Sequence, residues 1–528
     1  MDTLTFEKFK PFIDRFLSDA GWFWPELVLI LVIVLLLIID LLLPRQKSTN
    51  LVMLALMGVL LAFGVTVYDW MRLNEPVNNI AGGGYQFPFL FQGMLKLDAL
   101  GYFLKTLILI GTAGVLIMTY KDASFKGHTM GEYYSLLLSS VLGMFLMVSS
   151  ADLLMLYLAI ELTSIPTYLL VTYHRDDPKG AEASLKYLVY GAVSTGIMIY
   201  GFSWIYGLSG SSKIQDISLS AFQAAYGGGG QFFAGVVFFL VFIGIAYKMS
   251  TVPMQFWTPD VYEGAPTPIT TFLAITSKAA GFAVLLRFMN AVQSQGMGEY
   301  FLGTESVSLL TQSKFGGYSA YVLALAIISV LTMTLGNFLA LHQTNVKRLL
   351  AFSSIAHAGY ILMGACVLSK QGQTATLFYL VAYLLMNLGA FYIVMMVANS
   401  TKSEEISSFV GLGKASPFYA ACMTVMLFSL VGIPPTIGFS GKFQLFAAAL
   451  SYKGLALWWL VLIAGLNTAV SLYYYARIIK AMYFEEGEHP GVTCSYLNAF
   501  VVFSVTASVI LFGVWFDWII EGASSAAL

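Results

Sequence analysis

The chain is 528 residues long, 58% hydrophobic and only 10% charged, with a net charge of −1. A water-soluble domain carries about a quarter charged residues, so this chain is not built to face water. Its near-neutral charge argues against nucleic acid as a partner, and its three scattered cysteines (Cys366, Cys422, Cys494), with no C-x-x-C pair, argue against an iron–sulfur or zinc site.

The first stretch, MDTLTFEKFKPFIDRFLSDAGW, has mixed charge and no uninterrupted apolar run, which is unlike a cleavable signal peptide. Its Leu4, Phe6, Phe9, Phe12, Ile13 and Phe16 predict a short amphipathic helix at a membrane surface. Crossing a bilayer takes roughly 20 apolar residues per helix. Fourteen such spans are predicted, centred near residues 34, 60, 108, 141, 162, 195, 244, 279, 329, 358, 386, 432, 468 and 509. Helices are expected throughout, because a backbone in lipid must satisfy its own hydrogen bonds. The fold class is therefore an all-α polytopic membrane protein in a single domain.

Lysine and arginine set the orientation. Loops after odd-numbered spans hold Arg45, Lys47, Lys121, Lys126, Arg175, Lys179, Lys402 and Lys414, with Lys347, Arg348, Arg477 and Lys480 at helix ends on that side. Loops after even-numbered spans hold Arg72, Lys213, Lys314, Lys370 and Lys453. Lys8, Lys10 and Arg15 in the N-terminal tail are offset by Asp2, Glu7, Asp14 and Asp19. Both termini are expected outside.

Several charges fall within spans rather than loops. Glu161 lies in LLMLYLAIELTSIPTYLLV, Lys278 in ITTFLAITSKAAGFAVLL and His357 in LLAFSSIAHAGYILMG. Lys248 and Lys442 flank proline breaks, in AYKMSTVP and GIPPTIGFSGKF, and Lys186 begins a span in SLKYLVYGAVSTG. A single such group is often a structural ion pair, and Lys186 near a helix start also fits a lysine that snorkels to the surface. Several at similar depth point to an interior polar path, since ionisable groups there are costly. Pro253 and Pro434–Pro435 free backbone carbonyls in mid-membrane. Broken helices with ionisable groups at the gap recur in transporters.

The chain also echoes itself. Leu185–Val189 reads LKYLV and Leu377–Val381 reads LFYLV, 192 residues apart (377 − 185), close to the 181 between Pro253 and Pro434 (434 − 253). Spans 4–8 are thus expected to repeat as spans 9–13. Copies offset by five spans run in opposite directions, as inverted repeats do. The expected units are residues 1–130 (surface helix and spans 1–3), 131–292 (first repeat), 318–485 (second repeat) and 496–522 (span 14).

Soluble chemistry finds no support. GIPPTIGFSGKF lacks the glycine and the Ser/Thr of a phosphate loop, GLGKAS lacks the third glycine of a dinucleotide fingerprint, and AYGGGGQ reads as a loop.

LAIELTSIPTYLL, AEASLKYLVYGAVSTGIMIYG, YKMSTVPMQFWTPDVYEGAPTPITTFLAITSKAAGF, NVKRLLAFSSIAHAGYILMG and GIPPTIGFSGKF resemble the antiporter-like membrane subunits of respiratory complex I, the bacterial NADH–quinone oxidoreductase. The similarity runs from about residue 90 to 485, and WTPDVYEGAPTP is its most specific stretch. It is nearest the N type: the L type usually has a long lateral C-terminal helix, and the M type usually has glutamate where Lys442 stands. One small departure is YLAIE, where a glycine is common before the acid. The resemblance implies fourteen helices, spans 7 and 12 broken, and proton translocation driven by quinone reduction elsewhere in the complex. It puts the family's proton relay on Glu161, Lys248, Lys278 and Lys442. Lys186 and His357 are possible auxiliaries, with Ser353, Ser354 and water bridging gaps.

It also implies a multi-pass protein of the bacterial inner (plasma) membrane, held among the other membrane subunits. No cofactor is expected in this chain; flavin, iron–sulfur clusters and quinone would sit in or with its partners. A subunit of a multisubunit cation/proton antiporter is the rival reading, and a purely structural scaffold a third. Desolvation disfavours the charged form of a buried lysine and a nearby carboxylate favours it. Glu161 beside Lys248 would thus be a switchable pair, with Lys278 as central relay and Lys442 as the station of the other half.

Overall fold

A computed structural model describes residues 17, 19–42, 51–73, 89–125, 130–174, 176–217, 230–294, 320–452, 456–492 and 495–528. The predicted N-terminal surface helix, Cys494 and several loop cations lie outside the described residues. Spans 1 to 6 are Trp24–Leu42, Leu51–Leu73, Ala99–Lys121, Gly131–Ser149, Leu153–Val171 and Pro178–Ser209. Span 7 is Gly230–Met249, a break, then Trp257–Gly264; span 8 runs from Thr267 through a π turn at Leu273–Ser277 to Ser294. Spans 9 to 11 are Ala320–Ala340, Val346–Cys366 and Lys370–Thr401. Span 12 is Pro417–Val431 followed by Ile437–Ser451, span 13 is Trp458–Tyr483 and span 14 is Tyr496–Val514. A short helix, Asp517–Ala526, closes the chain, and Phe89–Leu90 pairs antiparallel with Leu95–Lys96.

Among the described residues, thirteen helices are long and apolar enough to cross a membrane, and the two pieces of span 12 make the fourteenth crossing. The helix starts are locally encoded. Asp98, Asp152, Asp177, Asn345 and Ser369 each accept from a backbone N–H of the following turn, satisfying donors that the helix leaves unpaired.

The repeat is visible in the elements. Spans 6 and 11 are both 32 residues long, and the span after each is the broken one. The offset of five spans reverses direction, so the two units are inverted. Their inner helices form the centre of the bundle: the apolar windows of spans 8 and 10 are wholly buried, whereas those of spans 1 and 14 are 28% buried. A helix buried all round has no lipid face and is free to carry polar groups at mid-depth.

One buried ion pair joins the first three spans to span 8. Arg287 donates to both carboxylate oxygens of Asp98 at 2.7 and 2.6 Å and to the Val148 carbonyl at 2.5 Å. Burial pushes the Asp98 carboxyl up, but the Arg287 guanidinium outweighs it and holds the group below the usual carboxylate range. Arg287→Ala would strand a carboxylate that is 2% exposed. Removing one partner of such a pair costs about 3–5 kcal/mol. We expect the variant to lower the melting temperature of the assembled protein, with Arg287→Lys losing less; unchanged melting in Arg287→Ala would show that the pair does not secure span 3.

Candidate functional site

Both breaks form where proline was expected to force them, and each brings a lysine to a helix end. After Met249 the chain leaves the helix, with Ser250 at φ 59°, and resumes at Trp257. Lys248, in the last turn, is 3% exposed, and its Nζ has no hydrogen-bond partner. Beside it Ser250 Oγ, Thr251 Oγ1, Gln255 Oε1 and Thr258 Oγ1 are also buried and unpartnered. Burying an unpaired polar group costs about 1–3 kcal/mol. Five at one break mark a concentrated expense that packing alone does not call for. Span 8 approaches this point closely because residue 281 is glycine: a Cβ there would lie 3.2 Å from Lys248 Cβ and 3.1 Å from Met249 Cγ.

The break in span 12 treats its lysine differently. The helix Pro417–Val431 ends at Gly432, with φ 91°, leaving carbonyls at its C-terminus unpaired. Lys442 Nζ donates to two of them, Val431 at 2.8 Å and Leu430 at 3.2 Å, and to Thr468 Oγ1 at 3.4 Å. A cation at a helix C-terminus also meets the negative end of the helix dipole. Gly438 permits the tight return, since a Cβ there would fall 1.8 Å from the Ser429 carbonyl oxygen.

Between the two breaks stands Lys278, fully buried directly after the π turn of span 8. Such turns occur often at functional sites. Its Nζ donates to the Ser354 carbonyl at 2.9 Å and to Ser354 Oγ. Ser354 Oγ also accepts from Tyr383 at 2.7 Å and lies 3.3 Å from the Tyr262 hydroxyl.

From there span 10 carries a polar face toward Lys442. Ser353, Ser354, His357 and Tyr360 recur at helical spacing and share one side. His357 Nδ1 is 2.8 Å from the Tyr379 hydroxyl, and its Nε2 is 3.4 Å from that of Tyr475, which also meets Ser353 Oγ. Tyr360 hydroxyl is 3.1 Å from Thr468 Oγ1, and Lys442 Nζ stands 4.6 Å over the Tyr360 ring. Hydroxyls and one imidazole thus fill most of the distance from Lys278 to Lys442.

Glu161 and Lys186 are placed otherwise. Glu161 is half-buried on span 5, on the stripe of the exposed Leu154, Leu158, Ile165 and Leu169. Its charge acts on Lys248, but no ion pair within 4 Å forms between them. The expected pair is thus open. Lys186, its side chain 40% exposed, is bound by Asp260 at 2.7 Å and Glu182 at 2.8 Å, in a network with Arg348, Glu263 and Lys179. The structure does not bring it into the line from Lys278 to Lys442. Lys347, read from the sequence as a cation at a helix end, stands in the first turn of span 10 and is buried, donating to the Ala265 carbonyl and to Glu404, both at 2.8 Å.

The chain matches the family described as "NADH:quinone oxidoreductase/Mrp antiporter, TM" over residues 150–316 and 307–470. NADH-quinone oxidoreductase subunit N of Chlorobium chlorochromatii is 42% identical over 471 residues, covering 89% of this chain and 86% of that one. The chain belongs to the subunit N family of NADH-quinone oxidoreductase. Among solved structures, a chain of respiratory complex I from Thermus thermophilus is 28% identical with a TM-score of 0.74, covering 94% of this chain and 98% of that one. A chain of the Mrp complex from Dietzia sp. has a TM-score of 0.76 at 18% identity and shares the fold.

For a member of this family, the sequence reading missed the aromatic hydroxyls. Tyr379 and Tyr383 are four residues apart on span 11, and Thr468 and Tyr475 seven apart on span 13, spacings that put each pair on one helix face. Those pairs were the available signal. In an apolar sequence rich in tyrosine they look like ordinary packing.

Proposed function

We propose that the chain is the proton-translocating membrane subunit whose own path runs through Glu161, Lys248, Lys278 and Lys442. As a subunit N of NADH-quinone oxidoreductase it works beside the other membrane subunits of the complex and moves protons as quinone is reduced elsewhere. The observation that carries the assignment of residues is the run of buried cations on two broken helices and the helix between them, with a polar face of span 10 linking Lys278 to Lys442.

Each lysine has a distinct capacity. Lys248 has no hydrogen-bond partner, and the charge that acts on it is that of Glu161. Lys278 can pass a proton to Ser354, and the span 10 hydroxyls with His357 extend the route. Lys442 rests on carbonyls that accept but never donate, so these contacts position its Nζ without supplying it a proton. Water at the polar break of span 7 would complete the first half, since the site is polar enough to hold it. Lys186, tied to two acids, has a positioning part at most.

Glu161 also supports the partner reading. A carboxylate on an outward stripe at mid-depth is costly beside lipid. We infer that a neighbouring membrane subunit covers it and changes its coupling to Lys248. The cation bias of the loops supports placing both termini outside, in a bacterial inner membrane. Flavin, iron–sulfur clusters and quinone belong, in this reading, to the partners; the free thiols of Cys366 and Cys422 are buried apart from the path.

The test is a vesicle assay of the assembled complex, following NADH oxidation and lumen acidification together. Glu161→Gln keeps the side-chain shape and removes the charge, so we expect proton yield per NADH to fall several-fold while the complex still assembles. An unchanged yield would remove Glu161 from the path.

A further inference from the structure

A second group of buried ionisable side chains lies in spans 1–3, away from the line described above. Glu26 of span 1, Asp69 of span 2, and Tyr102 and Lys105 of span 3 are each 2% exposed or less. Lys105 Nζ donates to Glu26 Oε1 at 2.6 Å and lies 5.2 Å from the Tyr102 ring and 5.5 Å from the Phe145 ring of span 4. Its charge is spent on that one carboxylate.

Three oxygens of the group are left over. Glu26 Oε2, Asp69 Oδ2 and the Tyr102 hydroxyl are buried without a hydrogen-bond partner. The charges acting on Asp69 are those of Lys105, Arg72 and Glu26. Arg72 is exposed and stacks 4.2 Å over Trp22. Asp98, one further acid near Tyr102, is already neutralised by Arg287. From span 4 the Phe145 ring faces Lys105. Within the group, two carboxylates therefore face one buried cation.

We propose that Glu26, Asp69 and Lys105 form a proton-binding site, in which the carboxylates take up one exchangeable proton in addition to the charge that Lys105 balances. Two ionised carboxylates against one ammonium leave a net negative charge out of water, which is strongly unfavourable. One proton makes the group neutral and turns an unpartnered acceptor into a donor that the remaining oxygens can accept. Among the described residues, none of these side chains hydrogen-bonds to Lys248, Lys278, His357 or Lys442. The site is thus additional to the relay and independent of its assignment.

Infrared spectroscopy of the intact purified complex tests this, because a protonated carboxyl has its own C=O band that shifts on exchange into D2O. The balance of charges predicts opposite signs for opposite changes. Asp69→Asn and Glu26→Gln each leave one acid against one lysine, so each should lose one protonated carboxyl per complex. Lys105→Met removes the counter-charge and should add one. Either acid variant suffices if the other does not assemble. A carboxyl band that survives removal of either acid, or that does not grow in Lys105→Met, overturns the proposal.

Discussion

Arginine at position 278 is expected to stop proton uptake as thoroughly as methionine. Lys278 is fully buried and bonded only to Ser354. A relay at that point must alternate between charged and neutral, and methionine lacks the titrating group. Guanidinium keeps its charge at any physiological pH, so arginine supplies a cation that never lets go. Both variants should lower proton uptake roughly 10²-fold or more, the size expected when a positioned proton-transfer group is lost. A merely structural cation would tolerate arginine. The larger head also crowds a packed helix, at about 1–3 kcal/mol, so assembly must be checked alongside. Near-normal uptake by Lys278→Arg at normal assembly would show that Lys278 does not relay protons.

Lys248→Met separates transport from stability more cleanly. Nζ of Lys248 has no partner, so its loss breaks no hydrogen bond within the chain. Methionine is unbranched, of similar length, and fits irregular apolar gaps. Replacing an unpaired buried polar group by an apolar one is close to neutral or stabilising. Assembly and melting temperature should therefore hold while proton uptake falls, again by roughly 10²-fold if Lys248 transfers the proton. Vesicles carrying this variant, compared at equal NADH oxidation, check it: full proton yield would exclude Lys248, and a collapse of assembly would mean that its ammonium has a structural partner.

Much of this molecule was legible before any coordinates. Fourteen apolar stretches, the breaks at Pro253 and Pro434–Pro435, and the misplaced charges at Glu161, Lys248, Lys278, His357 and Lys442 are all properties of single residues or of short windows. They are legible because lipid imposes strict local rules: a span needs a certain length, a helix needs its N–H groups, and a charge needs a reason. Pairings between distant residues obey no such rule. Nothing in YFLKTLILI says that Lys105 meets Glu26, 79 positions earlier, or that Asp98 meets Arg287, 189 positions later. The burial of Lys347 was illegible for the same reason, since its partner Glu404 lies in a loop that only the packed bundle brings near.

By itself, then, the sequence determined the membrane class, the number of crossings, where two of them break, and which ionisable groups fall within the spans. The tertiary structure decided the rest. It set Lys278 on Ser354 and Lys442 on the open end of span 12, left the pair of Glu161 and Lys248 apart, and moved Lys186 out to a charge network with Asp260. The physical reason is that depth and helix integrity depend on a residue's immediate neighbours, whereas a proton route depends on ångström distances between side chains from five or more separate helices. Those distances exist only once the two inverted units are packed together.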